Sequence, residues 1–397
     1  MGKRTLDNLD VDGKRVLVRV DFNIPIEQGV EAIHQYDQRL RATLPTIRYL
    51  LARCCRVILC SHLGRPGGKV ADSLRLAPVG DRLALLLSHP VRSLDGCVGP
   101  SVEAAAASMA PGEVVLLENL RFHPGEENND PQFSRDLAET ADCFVMDAFA
   151  VAHRAHASTV GLPSCLPSAM GLLVQREVES MGRALESPER PLAALLGGAK
   201  VSDKILVLEN LLGQLDHLFI GGGMSVTFLN ALGYNTGAST VETGRLEFAR
   251  ELMERAKQRG IQVHLPEDLV IADRFGEDGE IKTVASGQVP DDWFIMEVGG
   301  NTASQFARDL AGCRTIIWNG PMGVFEIPRF SEGTRVVAQG IAGLEGVTTV
   351  VGGGSTAEAV EEMGLMDRMT HVSTGGGASL EFLEGKELPG IAALPDA

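Results

Sequence analysis

The C-x-x-C motif is missing from this sequence. Its seven cysteines stand at 54, 55, 60, 97, 143, 165 and 313, and no two of them form a C-x-x-C motif. An odd number of scattered cysteines in a chain of 397 residues argues against a disulfide framework and against a zinc site. We therefore expect reduced thiols and predict a cytoplasmic location.

Signals for membranes and nucleic acids are also missing. No stretch of 18 uninterrupted apolar residues occurs, and the opening segment MGKRTLDNLDVDGKR lacks the apolar run of a secretory signal. The formal net charge of −16 repels nucleic acids and anionic membranes. We therefore predict that the partners are small molecules. An acidic protein can still bind phosphates if its basic residues cluster in one cleft.

Two common nucleotide motifs are absent as well. The sequence has no G-x-x-x-x-G-K-[ST], which excludes a P-loop enzyme. It has no G-x-G-x-x-G either, which weighs against a nicotinamide dehydrogenase, although that alternative shares the fold class predicted below.

Short β-branched runs alternate with helical patterns along the chain. Runs begin at 14, 56, 113 and 142 in the first half and at 191, 217, 314, 348 and 370 in the second; helical patterns occupy 39–53, 78–88 and 132–141. This alternation predicts an α/β protein with parallel sheets covered by helices, and the length favours two domains. We predict two doubly wound, Rossmann-like domains, whose ligands bind at the carboxyl ends of the strands.

One long helical pattern separates the two halves. It covers 169–186, and Pro167, Pro188 and Pro191 punctuate it. We predict an N-terminal domain at 1–168, a hinge helix at 169–186 and a C-terminal domain at 187–383.

Glycine clusters end four of the strand-like runs in the second half. Exposed backbone N–H groups and helix N-termini favour anions, so four such loops together suit a polyphosphate. A single loop of this kind is well explained as a tight turn between a strand and a helix. In "GGAKVSDKI" (197–205), Lys200 and Lys204 are four residues apart, which predicts a shared helix face for one phosphate. "WNGPMGVFE" (318–326) predicts a rigid turn against a flat ligand, with Glu326 for ribose hydroxyls.

Polar and basic residues end the runs of the first half instead. They are Asp21, Asn23, His62, Arg65, Arg121, His153, Arg154 and His156. Arginine forks match phosphate and carboxylate groups, which predicts a small, highly anionic ligand. The histidines at 153 and 156 also have metal-ligand spacing, but no third ligand stands nearby, so we favour a non-metal role. One domain for an anionic metabolite and one for a nucleotide together predict phosphoryl transfer across a cleft.

The same motifs resemble those of the phosphoglycerate kinase family over nearly the whole chain. They follow in the family's order: RVDFNIP, SHLGRP, LLENLRFH, AHRAHAS, GGAKVSDK, GGGM, LPEDLVIAD, WNGPMGVFE and STGGGASLEFLEGKELPG. The resemblance implies reversible transfer of the acyl phosphate of 1,3-bisphosphoglycerate to MgADP, which yields 3-phosphoglycerate and MgATP. It also implies a monomer, closure about the hinge, and a C-terminal segment of about 384–397 that returns to the N-terminal domain.

The resemblance assigns site residues one by one. It places 3-phosphoglycerate on Asp21, Asn23, Arg39, His62, Arg65, Arg121 and Arg154. It places the nucleotide on Gly197, Lys204, Gly221, Asn319, Glu326, Gly353, Gly354, Ser355 and Thr356. It places the transferring phosphoryl group against Arg39, Lys200, Gly376 and Gly377.

The family pattern is broken in three places. Ser355 stands where the family usually has an aspartate that helps to hold Mg²⁺, Ala150 replaces a glycine, and EVGGNT (297–302) replaces D-x-G-P-x-T. Ser355 and Glu358 also fit a helix capping box, so the serine has a structural interpretation. The alternatives are an active kinase with a weaker hold on the metal and a nucleotide-binding protein without catalysis.

Overall fold

The chain forms two compact units in a computed structural model that describes residues 2–25 and 30–397. The first unit comprises Met1–Glu179 and Glu387–Ala397, and the second comprises Ser180–Lys386. None of the helices in the described residues has the length and hydropathy needed to cross a bilayer.

A six-stranded sheet forms the centre of the first unit. Its strands are β1 (Arg15–Arg19), β2 (Arg56–Cys60), β3 (Val91–Ser93), β4 (Val114–Leu116), β5 (Cys143–Met146) and β6 (Ser168–Met170). Their order is β3-β4-β2-β1-β5-β6, and every pairing is parallel. The helices are α1 (Val30–Gln35), α2 (Gln38–Leu51), α3 (Ala77–Leu87), α4 (Pro100–Ala107), α5 (Pro124–Glu127), α6 (Pro131–Ala138) and α7 (Leu172–Glu186). Strands β1, β2 and β5 are almost wholly buried, as expected where helices cover both faces of a parallel sheet.

Helix α7 carries the chain from the first unit into the second. It begins at Leu172, so the predicted start at 169 is wrong, because residues 168–170 pair with β5 as strand β6. The buried carboxylate of Asp147 accepts a hydrogen bond from the Leu173 N–H at 2.9 Å, and the Thr46 hydroxyl accepts one from the Leu172 N–H at 3.0 Å. These contacts satisfy donors that a helix N-terminus leaves unpaired. Burial raises the pKa of Asp147 to about 7.

The second unit contains two sheets. Its strands are β7 (Leu192–Leu196), β8 (His217–Ile220), β9 (Gln262–His264), β10 (Asp268–Ala272), β11 (Ile281–Ala285), β12 (Phe294–Val298), β13 (Thr315–Asn319), β14 (Thr348–Gly352) and β15 (His371–Val372). Six of them form a parallel sheet in the order β15-β14-β13-β7-β8-β9. The remaining helices are α8 (Ile205–Leu211), α9 (Gly222–Ala231), α10 (Leu246–Gln258), α11 (Gly300–Leu310), α12 (Glu332–Ala342), α13 (Gly354–Glu362), α14 (Gly377–Leu383) and α15 (Pro389–Ala392). Two parallel sheets with flanking helices confirm the predicted α/β fold class.

The three other strands form an antiparallel sheet in the order β11-β10-β12, which the sequence did not predict. Strand β11 is as long as β10 and β12, but its side chains are partly or fully exposed on both faces. It therefore lacks the buried β-branched run that marked the other strands.

The last described segment belongs to the first unit. The Pro395 carbonyl accepts a hydrogen bond from the Arg4 N–H at 2.9 Å, and the Gly390 N–H donates to the Ala152 carbonyl at 2.8 Å. Residues 384–386 belong to the second unit.

Candidate functional site

Charged side chains of the first unit meet at the carboxyl edge of its sheet. We define the basic cluster as Arg19, Asp21, Arg39, His62, Arg121 and Arg154. Arg19 ends β1, and Asp21 and His62 follow β1 and β2 by two residues. Because parallel strands end at the same edge, residues far apart in sequence become neighbours here.

Hydrogen bonds hold the loop of residues 61–66 against this cluster. Asp21 accepts from the Arg39 guanidinium and, at 3.1 Å, from the Asn23 N–H. The Asn23 side-chain oxygen accepts from the Gly64 N–H at 2.8 Å, and Arg121 donates to the Gly64 carbonyl at 2.7 Å. The structure thus brings these predicted residues together.

Two predicted arginines are less tightly placed. Arg65 lies on the same loop with an exposed side chain. Arg154 donates to His153 at 3.4 Å, and its charge acts on both His62 and His156. Both side chains therefore leave guanidinium groups available to a ligand.

Positive charge exceeds negative charge at the basic cluster. Its four guanidinium groups meet the carboxylate of Asp21 and two carboxylates beside the cluster, Glu127, which pairs with Arg121 at 3.1 Å, and the buried Glu126. Burial, followed by the charges of Arg19, Arg121, Arg154 and Arg39, holds the pKa of His62 well below its ordinary range. Burial, followed by the charges of neighbouring arginines of the same cluster, lowers the pKa of His156 to about 4. Both imidazoles are therefore neutral near pH 7, and the charge that would receive an anion comes from arginine.

Sequence reasoning missed Arg19, Ser158 and Glu126, which lie buried beside the cluster. Arg19 donates to the Ser158 hydroxyl at 2.8 Å, and that hydroxyl donates to Glu126 at 2.6 Å. One signal was available in the sequence: an arginine ends the otherwise apolar strand pattern VLVR, and a buried cation requires a specific reason.

Glycines let three backbone segments of the second unit touch. We define the glycine-loop cluster as Gly197, Gly221, Asn319, Gly353, Thr356 and Lys204. The Gly197 N–H donates to the Asn319 carbonyl at 3.0 Å, and a Cβ at Gly197 would lie 2.1 Å from the Pro321 carbonyl oxygen. Gly320 has φ of 103°, and its N–H donates to the Thr356 hydroxyl at 2.7 Å. Only glycine tolerates both the close approach and the positive φ.

Lys204 and Asn319 form the polar centre of this cluster. The lysine ammonium donates to the side-chain oxygen of Asn319, a neutral partner. The buried side-chain nitrogen of Asn319 has no hydrogen-bond partner in the part of the chain that the structure describes. Burial lowers the pKa of Lys204 to about 8. A buried cation whose hydrogen-bond partner is neutral, beside an unused N–H donor, is suited to an anionic ligand.

The predicted pairing of Lys200 with Lys204 on one helix face is wrong. Lys200 is exposed and precedes a 3-10 turn at Ser202–Lys204, whereas α8 starts only at Ile205. The carboxylate of Glu242 accepts hydrogen bonds from the N–H groups of residues 201 and 202 at 2.5 and 3.1 Å. It thereby fixes the backbone turn between the two lysines.

A cavity of about 630 Å³ opens beside the glycine-loop cluster. Apolar side chains such as Phe275, Phe294 and Val324 form its walls together with backbone of residues 198 and 223. Glu326 and Ser355 also line it. This volume and this mixture of an apolar wall with few polar groups are typical of a small-molecule site.

The remaining predicted positions lie at the N-termini of helices α13 and α14. Gly353 (φ 88°) is the N-cap of α13, so Gly354 and Ser355 are the first two helical residues. The predicted capping box at Ser355 is therefore wrong: the helix begins one residue before the serine, whose side chain is exposed. Gly376 (φ 50°) and Gly377 begin α14, which contacts β14 near Gly352.

Metal-ligating side chains do not assemble in the described residues: no group of three or more His, Cys, Asp or Glu side chains is placed to hold an ion. The guanidinium groups of the basic cluster and the ammonium of Lys204 can bind and neutralise anions.

Comparisons with known proteins agree with this chemistry. The family model for phosphoglycerate kinase matches residues 6–386. The phosphoglycerate kinases of Moorella thermoacetica and Dictyoglomus turgidum are 55% and 52% identical to this chain, with full coverage of each protein. The structure of phosphoglycerate kinase from Coxiella burnetii superposes with a TM-score of 0.87 at 41% identity, and that from Pyrococcus horikoshii with 0.85 at 33%; each comparison covers 98% of both chains. The chain therefore belongs to the phosphoglycerate kinase family.

Proposed function

We propose that the two clusters divide the substrates of the phosphoglycerate kinase reaction between the two units. The basic cluster, with Asn23 and Arg65, binds 3-phosphoglycerate or 1,3-bisphosphoglycerate. The glycine-loop cluster and its cavity bind ADP or ATP. The reaction is the reversible transfer of the acyl phosphate of 1,3-bisphosphoglycerate to MgADP.

The observation that carries this proposal is the excess of arginine at the carboxyl edge of the first sheet. Four guanidinium groups meet the carboxylates of Asp21, Glu126 and Glu127 there, which leaves positive charge in excess, and the nearby histidines are held neutral. A triose that carries a phosphate and a carboxylate supplies the missing negative charge, and arginine forks bind both groups in bidentate fashion. Asp21 and Asn23 suit its hydroxyl group.

The nucleotide half of the proposal rests on the cavity and on Lys204. A base and a ribose fit the cavity of about 630 Å³, and Glu326 on its wall can accept hydrogen bonds from ribose hydroxyls. Lys204, the free N–H of Asn319 and the start of α13 at Gly354 are suited to the phosphates.

Catalysis by this arrangement consists of positioning and charge neutralisation. A carboxylate leaving group and a phosphate nucleophile need little proton transfer near pH 7, so the neutral His62 need not act as a general base. We propose that Arg39, Lys200 and the N–H groups at Gly376 and Gly377 face the transferring phosphoryl group, which matches the family assignment. Preorganised donors of this kind each stabilise a transition state by roughly 3–4 kcal/mol. Transfer between substrates on separate units requires a closing motion.

Magnesium enters as part of the nucleotide substrate. Mg²⁺ in kinase sites is held by phosphate oxygens, waters and one or two carboxylates. The exposed Ser355 on the cavity wall offers a neutral hydroxyl at the family's aspartate position. This donor set fits an ion that arrives with the nucleotide and is held mainly by phosphates and water. We propose that the enzyme needs more Mg²⁺ than a relative with aspartate at this position.

A coupled assay tests the proposed function. The protein should phosphorylate 3-phosphoglycerate with MgATP, with product detected through a coupling dehydrogenase. Arg154→Ala should raise the KM for 3-phosphoglycerate at least tenfold. Arg135→Ala, which removes an exposed arginine bound to Gln132 on α6, should leave it unchanged. Nucleotide binding without turnover at any Mg²⁺ concentration would instead indicate a protein that has lost catalysis. Gel filtration tests the proposal of a monomer, and cell fractionation tests that of a cytoplasmic location.

A further inference from the structure

Arg19 is a buried cation whose hydrogen-bond partners are neutral. Its side chain is 1% exposed at the end of β1. Its Nε donates to the Ser158 hydroxyl at 2.8 Å, its Nη1 donates to the Val20 carbonyl, and its Nη2 lies 3.1 Å from Nδ1 of His62. A buried guanidinium is costly unless it is paired, so this arrangement requires a compensating charge nearby.

Glu126 supplies that charge across one hydroxyl group. Its fully buried carboxylate accepts from the Ser158 hydroxyl at 2.6 Å and from the Ser158 N–H at 3.0 Å. Burial raises the pKa of Glu126, and the Arg19 charge opposes this rise. A continuous chain therefore runs from Glu126 through Ser158 and Arg19 to His62, and we call it the Arg19 relay.

The chemistry of the last contact fixes the proton on His62. A guanidinium has donors and no acceptor, so His62 Nδ1 must be the acceptor. A neutral imidazole with an unprotonated Nδ1 carries its proton on Nε2. The competing tautomer has a ready partner, because Asp21 Oδ1 lies 3.8 Å from the same Nδ1 and could accept a proton from it. Without Arg19 the ring would therefore turn its Nδ1–H toward Asp21.

We propose that Arg19 is a positioning residue that locks His62 in the neutral Nε2–H tautomer, so that the ring presents an N–H donor to the anionic substrate. The role of His62 in substrate binding rests on the proposed function, whereas the tautomer is a property of the free protein. The relay also gives a reason for the burial of Glu126 and Ser158, neither of which is a predicted substrate-binding residue.

The test is the ¹⁵N spectrum of the histidine rings in the full-length free protein at pH 7. Ring-nitrogen shifts and their couplings to ring protons distinguish the two neutral tautomers, and His62→Gln identifies the His62 signals. We expect the Nε2–H form in the wild type. In Arg19→Met no N–H donor of residue 19 remains to hold His62 Nδ1 as an acceptor, so the Nδ1–H form should become populated. Arg15→Met is the matched control, because Arg15 lies on the same strand and pairs with Asp142 at 2.7 Å; it should leave the tautomer unchanged.

A second variant guards against misfolding of the first. Ser158→Ala removes the oxygen that holds Arg19 Nε and keeps the guanidinium. It should populate the Nδ1–H form, whereas Ser134→Ala, which removes a buried hydroxyl bound to the Asp130 carbonyl, should not. In both relay variants the KM for 3-phosphoglycerate should rise about tenfold, with a smaller change in kcat. An Nδ1–H ring in the wild type, or an unchanged Nε2–H ring in a folded relay variant, overturns the proposal.

Substrate titration separates this proposal from the proposed function. If 3-phosphoglycerate shifts the His62 signals of the wild type, the substrate site is supported. If it shifts none of the histidines while the tautomers behave as expected, the substrate assignment fails and the action of Arg19 on His62 stands.

Discussion

Lys204 should make nucleotide affinity fall steeply above pH 8. Burial lowers its pKa to about 8 from an ordinary 10.5, and its partner in the free protein is the neutral oxygen of Asn319. The proposed phosphate ligand attracts the protonated ammonium and restores a higher pKa in the complex. Binding above pH 8 must therefore be coupled to the uptake of a proton. Below pH 7 the lysine is already charged, so the nucleotide affinity should not depend on its titration.

The magnitude follows from that pKa. Each unit of pH above 8 costs about 1.36 kcal/mol of binding free energy, which is a tenfold weakening. Between pH 7 and pH 9.5 the Kd for ADP should therefore rise roughly 30-fold. At pH 9 the binding of one ADP should take up about 0.9 proton, because a group of pKa 8 is then about nine-tenths deprotonated.

Isothermal titration calorimetry at fixed Mg²⁺ measures both quantities when each pH is repeated in two buffers of different ionisation enthalpy. Lys204→Arg keeps the charge at every pH and should give a flat profile. Lys204→Met should bind weakly with an equally flat profile, which corrects for other titrating groups. A wild-type Kd that stays constant from pH 7 to pH 9.5, or a slope that persists in Lys204→Met, would refute the reasoning.

Three further substitutions test other parts of the structure. Ser355→Asp adds a charge where the proposed metal lies, worth about 1–2 kcal/mol in a water-like dielectric. The Mg²⁺ concentration for half-maximal rate should therefore fall by roughly fivefold to thirtyfold, and Mg²⁺-dependent ADP binding should tighten. Ser355→Asn is its neutral control, and an unchanged Mg²⁺ requirement in the aspartate variant would contradict the expectation. Arg39→Ala should lower kcat by about 10²–10³ with less than a tenfold loss of 3-phosphoglycerate affinity; equal losses would make Arg39 a binding residue only. Asp147→Asn keeps the acceptor for the Leu173 N–H and cannot ionise. The raised pKa of Asp147 makes the wild type lose stability as pH rises from about 4 to about 7. Thermal melting should therefore show the variant gaining about 2–4 kcal/mol of unfolding free energy relative to the wild type across that window. A stability difference that does not change with pH would count against this linkage.

The alternation of apolar runs and helical patterns was enough to predict parallel sheets and nine of their twelve strands, because buried parallel strands carry continuous β-branched sequence. The three-residue strands β3, β6 and β9 were not predicted. The antiparallel sheet escaped prediction although β10 is a largely buried run, because β11, one of its two partners, is largely exposed and carries no such run. Residue spacing failed where a distant side chain decides the local geometry. Glu242 fixes the turn before Lys204, and the positive φ of Gly353 moves the start of α13 ahead of Ser355.

Site residues on strand ends were predictable for a similar reason. Asp21 and His62 follow recognisable runs, and topology brings those strand ends to one edge. Ser158 and Glu126 could not be found this way, because they lie in short turns whose partners become apparent only in three dimensions.

The return of Glu387–Ala397 to the first unit makes the second unit an insertion within the first. During synthesis on the ribosome, Ser180–Lys386 can leave the exit tunnel and fold while the first unit still lacks its final segment. Contacts such as Arg4 to Pro395 can form only after residue 395 has emerged. The first unit to be translated is therefore the last to be completed, because its final segment is the last part of the chain to leave the ribosome.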